Sequence, residues 1–193
     1  PREDLARLHA ESRRREMVFH MHVEEQPAEI AACREAFGLT PTQVLLEDLD
    51  LDERFTAVHD THTRAEDMAA FLATGARVCL CPLTEANLGD GLADVPGILA
   101  SDGRICLGTD SNARISMLEE MRLVEYGQRL RHGRRGICRS ETGRLDGPLL
   151  DLATRHGAGS LGLPAGRIEI GSLGDLVLVD RTAPSLAGVA DED

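Results

Sequence analysis

Hydrophobic and polar positions along the chain alternate between two periods. From Met17 to Val23 the run MVFHMHV is short, apolar and aromatic. PAEIAACREAF follows, with Pro27 at a helix start and apolar residues at helical spacing. The same couple recurs three times. FTAVH (Phe55 to His59) precedes a helix around EDMAAFLATG, RVCLCP (Arg77 to Pro82) precedes a loop and GLADVPGILAS, and RICLGTD (Arg104 to Asp110) precedes SMLEEMRLVEYGQRLR. Strands that alternate with helices form a parallel sheet. Strands covered on both faces read as nearly continuous apolar runs, as RVCLC and RICLG do. The fold class predicted is α/β.

The pattern changes after Arg131. HGRRGICRSETGRLDG is polar and Gly-rich, a surface excursion, and PLLDLATRHGAGSLGL reads as a helix closed by glycines. Arg167 to Asp180, RIEIGSLGDLVLVD, alternates around a central Gly-Asp and predicts a β-hairpin outside the α/β body, followed by a frayed end. The domain division expected is therefore 1–163 for the α/β body and 164–193 for a small β element.

Composition narrows the function classes. With 21 basic and 33 acidic side chains, the formal charge is -12 and the pI near 5.0, which disfavours nucleic acid and anionic membranes as partners. The apolar runs are strand-sized, far short of the roughly 20 residues of a membrane span, and the charged start has no signal-peptide pattern. Five cysteines (Cys33, Cys79, Cys81, Cys106, Cys138) without a CxxC pair suggest reduced thiols and a cytoplasmic location.

Residues suited to metal binding or proton transfer sit at the C-terminal ends of all four strands. They are His20, His22 and Glu25 after the first, His59 and His62 after the second, Thr84 and Glu85 after the third, and Asp110 after the fourth. Sites in barrels and open α/β sheets form at that end of parallel strands. Imidazole and carboxylate donors suit zinc or a similar divalent ion, with His22 and Asp110 as candidate ligands. A lone His-x-His has a second reading, as strand histidines satisfied by backbone partners. His9, His132 and His156 have no carboxylate at a telling spacing and read as solvated or helix-end histidines. NLGDG lacks the Lys and Ser/Thr of a P-loop and reads as a turn shaping the pocket, and RLRHGRRG reads as a helix end and loop.

HMHVEEQ, VHDTHT, CLCPLTEANLGDG, GTDSNARIS and EEMRLVEYGQRLR together resemble the amidohydrolase superfamily and, within it, the formimidoylglutamate deiminase family of histidine degradation. The likeness runs over nearly the whole chain, and TEANLGDG with VEYGQRLR is its most specific part. Asp60 and Ala86 depart from the motifs, and the superfamily's first-strand His-x-His is absent. A barrel spends about 30 residues per strand-helix unit, and 110 minus 22 is 88, room for about three units. If Asp110 ends the eighth strand, HMHV is the fifth. The resemblance thus implies the C-terminal half, strands five to eight, of a metal-dependent (β/α)8 barrel plus a β-sandwich remnant.

The resemblance also implies roles. His22 would be a metal ligand, Asp110 ligand and base, Glu25 the proton-shuttling carboxylate of HxxE, and His59 the histidine facing the attacking water. Strand alternation alone would put Glu24 on the side of His22; the family's HxxE motif, together with a strand ending at Val23, selects Glu25 instead. The reaction implied is hydrolysis of N-formimidoyl-L-glutamate to N-formyl-L-glutamate and ammonia, with a divalent metal, Zn2+ or another. Ser111, Asn112, Arg114 and His62 are local candidates for substrate contacts. Another deaminase acting on a ring amidine and an inactive fragment or assembly subunit are the rival readings. A half barrel further implies self-association or a missing N-terminal half, with Val18, Val78, Leu80, Ile105 and Leu107 divided between the helix layer and an uncovered interior.

Overall fold

The structure is a computed structural model that describes residues 1–101, 103–111 and 114–188. Helix α1 (Arg2–Arg14) leads into β1 (Phe19–Val23), followed by α2 (Pro27–Phe37) and α3 (Pro41–Asp48). Then come β2 (Phe55–His59), α4 (Ala65–Ala73), β3 (Arg77–Leu80), α5 (Pro82–Leu88) and α6 (Val95–Ala100). After β4 (Arg104–Leu107), helices α7 (Met117–His132), α8 (Asp146–Ala153) and α9 (Arg155–Ser160) complete the body. The four strands are all parallel and lie in the order β1-β2-β3-β4.

Local chemistry sets several of these boundaries. Pro27 and Pro41 open α2 and α3, where a missing N–H costs nothing. Thr40 caps α3 reciprocally: Gln43 N donates to Thr40 Oγ1, and Thr40 N donates to Gln43 Oε1. This helix was not read in the sequence, and neither was α5, which occupies the stretch expected as loop. The N-terminus of α5 is met from far along the chain, where Leu83 N donates to Glu120 Oε2 of α7. The single helix expected over PLLDLATRHGAGSLGL is two, broken at Thr154, whose backbone leaves the helical region.

The sheet has a helix-facing side and an inner side. Phe55, Ala57, Val78, Leu80, Ile105 and Leu107 are buried against the helices, together with Phe71, Leu72, Ile98 and Val124. The apolar strand residues Val78, Leu80, Ile105 and Leu107 thus all go to the helix layer, instead of being shared with the interior. Strand register puts His20, Thr56, Arg77 and Arg104 in one inner row and His22, Val58, Cys79 and Cys106 in the next, a polar and thiol-bearing surface. His9 is buried, contrary to the expectation of a solvated ring: it meets Phe19 and Phe55 edge-on, and burial lowers its pKa. His156 is likewise engaged, with Nδ1 2.9 Å from Ile105 O.

Residues 167–180 form no strand. Ile168, Ile170, Val177 and Leu178 are each more than nine-tenths exposed. A two-stranded hairpin is marginal without a third strand or a packing surface, and nothing among the described residues covers this one.

Candidate active site

The strand ends gather their polar side chains because the backbone turns sharply there. Glu24 (φ 50), His59 (φ 78), Asp60 (φ 50) and Asp110 (φ 41) all adopt left-handed conformations. In the β1–β2 register Val23 lies opposite His59, so simple alternation would send the histidine towards the helix layer. The left-handed turn releases it instead, and Asp60 N then donates to Val23 O at 2.9 Å. Glu24 turns away from the inner side and accepts from Thr42 N at 3.0 Å beneath α3. Glu25 is the carboxylate that comes to His59.

One nitrogen or oxygen from each of His22, Glu25 and His59 lies within 4.8 Å of the others, a spacing that could hold a metal ion. The rings of His22 and His59 meet edge-on with centroids 5.1 Å apart. His59 Nε2 is 3.6 Å from Glu25 Oε1 and 3.8 Å from Asp110 Oδ2, too far for hydrogen bonds. It is buried and has no hydrogen-bond partner among the described residues. Its other nitrogen is fixed: Nδ1 lies 3.2 Å from Glu85 Oε1, which also accepts from Cys81 N at 2.8 Å. Glu85 therefore sets the ring's orientation, leaving Nε2 aimed at the space among Glu25, Asp110 and His22.

Burial pulls the His59 pKa down, yet the hydrogen bond its ring donates to Glu85 and the charges of Glu25, Glu85 and Asp110 outweigh it and leave the imidazole above its ordinary value. Three carboxylates around one imidazole leave negative charge uncompensated. Together with the His22 imidazole, that charge fits a divalent cation. Next to His59, the Asp60 carboxyl is fully buried, accepts from Thr63 Oγ1 with its second oxygen unpartnered among the described residues, and is pushed up to about 8, burial being the main cause.

The remaining candidates are elsewhere. His20 Nε2 is 2.7 Å from Ser160 O, so this first histidine of the pair is satisfied by backbone. His62 lines a shallow cleft of about 510 Å³ with Thr61, Thr63, Gly91, Leu92, Asp94 and Arg131, separate from the His22–His59 cluster. Ser111 is exposed, Arg114 donates to Glu119 on the surface, and Asn112 lies outside the described residues. Thr84 is buried in α5. The VEYGQRLR segment supports that cleft. Gln128 Nε2 donates to Ala93 O at 3.0 Å, and Arg131 Nη1 donates to Leu92 O at 2.7 Å. Gly127 leaves room for Leu92, whose Cδ2 would stand 2.7 Å from any added Cβ. Further along, Glu125 accepts from the backbone N–H groups of Gly136, Ile137 and Cys138. VEYGQRLR thus packs against Leu92 and Ala93, the residues that directly follow TEANLGDG.

A parallel α/β sheet with histidines and carboxylates at its strand ends is the setting in which barrel and open-sheet active sites form. The amidohydrolase family model matches residues 1–192, and the chain belongs to that family. It is 39% identical over 173 residues to formimidoylglutamate deiminase of Pseudomonas aeruginosa, covering 89% of this chain and 38% of that protein. It is 33% identical over 169 residues to 5-methylthioadenosine/S-adenosylhomocysteine deaminase of Pyrococcus furiosus, covering 86% of this chain and 39% of that one. The chain spans about two fifths of the length of these curated relatives. Among solved structures, an amidohydrolase from Brucella melitensis matches with a TM-score of 0.73 and 36% identity over 76% of this chain and 33% of that chain. An adenosine deaminase from Xanthomonas campestris, solved with bound zinc, shares the fold, with a TM-score of 0.86 and 23% identity over 98% of this chain and 43% of that chain.

Proposed function

We propose that this chain carries the strand-end half of the catalytic centre of a metal-dependent deiminase that hydrolyses N-formimidoyl-L-glutamate to N-formyl-L-glutamate and ammonia. The observation that carries the reading is the His22–Glu25–His59 cluster with Asp110 at its edge, in a chain 39% identical to a formimidoylglutamate deiminase. His22 and Asp110 would hold the divalent ion, which when bound acidifies water and acts as a Lewis acid. Asp110 takes a proton from the attacking water. His59, its Nδ1 proton held by Glu85, donates from Nε2 to the oxygen that adds to the formimidoyl carbon. Glu25 relays to the departing nitrogen both protons that the water gives up, the one Asp110 took and the one shed as the formyl C=O forms, and the nitrogen leaves as ammonia. Water supplies the oxygen, so the products balance.

Ammonia release from formimidoylglutamate tests this, on the chain alone and on a fusion that adds the N-terminal part of the Pseudomonas aeruginosa deiminase. The expected result is turnover by the zinc-loaded fusion and none from its Glu25→Gln or Asp110→Asn variants, with the chain alone inactive. A fusion that is folded and zinc-loaded but releases ammonia only from 5-methylthioadenosine would overturn the substrate. Activity unaffected by Glu25→Gln would overturn the assignment of the proton shuttle.

A further inference from the structure

The inner face of the sheet holds three thiols that the proposed chemistry does not use. Cys79 and Cys106 are directly opposite each other in the parallel β3–β4 register. Their side chains therefore project to the same side, from backbones about 4.8 Å apart at ordinary strand spacing. That separation lies inside the Cα range of roughly 4.4–6.8 Å that a disulfide spans. The thiol of Cys79 rests against those of both Cys106 and Cys81. Gly108 follows on β4's path and makes room for them: a Cβ there would stand 3.1 Å from Cys81 Sγ and 3.3 Å from Cys79 Sγ. All three cysteines are free, with Cys81 and Cys106 buried and Cys79 half-buried.

We propose that Cys79 and Cys106 are an oxidisable dithiol that closes into a cross-strand disulfide when a hydroperoxide reaches it. The surroundings divide the roles between the two sulfurs. The Cys79 thiol hydrogen-bonds to Cys106 and lowers its pKa; burial opposes this, while Ser160 and the positive charge of Arg77 assist it. Cys79 is pushed up by the same contacts. Of the two sulfurs, Cys106 is therefore the one that gives up its proton more readily. The Cys106 thiolate attacks the peroxide, breaking the O–O bond to give a sulfenic acid and releasing one oxygen as water after protonation. Cys79 then loses its proton and attacks the Cys106 sulfur, forming the S–S bond and expelling the second oxygen as water. Two thiols and one hydroperoxide give one disulfide, water and the reduced peroxide. A dithiol reductant reverses the change.

Cys81 links this pair to the strand-end cluster through its backbone, since Cys81 N donates to the Glu85 carboxylate that holds His59. The dithiol is nevertheless independent of the reaction proposed above, and its test needs no substrate.

The full folded chain is treated with hydrogen peroxide beside reduced glutathione as an internal standard, alkylated, and digested with trypsin under non-reducing conditions. Cleavage after Arg77, Arg104 and Arg114 separates residues 78–104, which carry Cys79 and Cys81, from residues 105–114, which carry Cys106. The expected product is a linked pair of these two peptides, lost on dithiothreitol treatment, retained in Cys81→Ser and lost in Cys79→Ser. Mapping the unsubstituted chain already decides the matter if a variant fails to fold. Glutathione oxidised with no linked pair would overturn the proposal. So would linkage that survives in Cys79→Ser, or Cys106 driven to an unlinked sulfinic acid.

Discussion

Removing the Glu85 carboxylate separates two things it does at once: it fixes the His59 ring and it supplies negative charge. Its side chain is nearly fully buried and makes two hydrogen bonds, one accepted from Cys81 N and one with His59 Nδ1. In Glu85→Ala both partners are left unsatisfied in a dry setting. Each buried unpaired group costs about 1–3 kcal/mol, so a loss of about 2–6 kcal/mol is expected for the two. In Glu85→Gln the amide oxygen still accepts from Cys81 N and the shape is kept, so the loss should be about 1 kcal/mol or less. The charge is gone in both. With the Glu85 charge removed in both variants, and the hydrogen bond lost as well in the alanine, burial, the largest single influence on His59, is opposed mainly by Glu25 and Asp110. The imidazole pKa should therefore fall in both variants, although only the alanine frees the ring. Chemical denaturation followed by circular dichroism gives the stabilities, and NMR titration of the imidazole in the metal-free chain gives the pKa. A raised folded-state pKa gives stability that is fully present below the unfolded value and lost as pH climbs through the folded one. The wild type should therefore lose this contribution above pH about 6.5, and the variants should lack it. An unchanged His59 titration in Glu85→Gln would refute the reasoning.

Other consequences are equally direct. Asp60, pushed up to about 8, keeps its proton when folded but not when unfolded, so stability should decline as pH rises from about 4 to 8. Asp60→Asn should flatten that slope in urea titrations at pH 5 and pH 8, and an equal slope in both proteins would contradict it. Phe55 is fully buried between Phe19, Phe71 and His9, so Phe55→Ala should cost about 3–5 kcal/mol in denaturant midpoint analysis; a loss under about 1 kcal/mol would show that this cluster is not a packed core. Glu125→Ala strips the acceptor from three backbone N–H groups in the segment that follows α7. Limited proteolysis between Gly133 and Arg144 should then accelerate at least tenfold, and an unchanged cleavage rate would mean the segment is held by other contacts.

The strands were legible because each is a compact apolar run, and for β2 the two ends fall where the sequence puts them, at Phe55 and His59. Helix α5 was not, since it has only seven residues and its first turn is satisfied by Glu120, 37 positions away and invisible to local pattern. The strand-end histidines and carboxylates could be listed from sequence, but alternation could not say which way they point. The left-handed residues decide that: they turn His59 from the helix side and separate Glu24 from Glu25. In sequence Glu85 reads as a polar group at a strand end without a role, because its partners, the Cys81 amide and an imidazole 26 positions away, meet only in the fold. The tail failed in the opposite sense. Its alternation is plain, yet alternation specifies a strand only where a partner edge exists, and residues 167–180 have none among the described residues.

The strand order β1-β2-β3-β4 bears on how the chain acquires its structure as it is made. Every strand pairs with the one that follows it in sequence, so each strand-helix unit closes a short loop onto a sheet edge that already exists. Growth of this kind suits synthesis from the N-terminus at several residues per second, with each new strand docking as it emerges. The two parts of the proposed centre then form at different times. His22, Glu25 and His59 come together once β2 is in place, whereas Asp110 joins them two strands later, with the fourth strand.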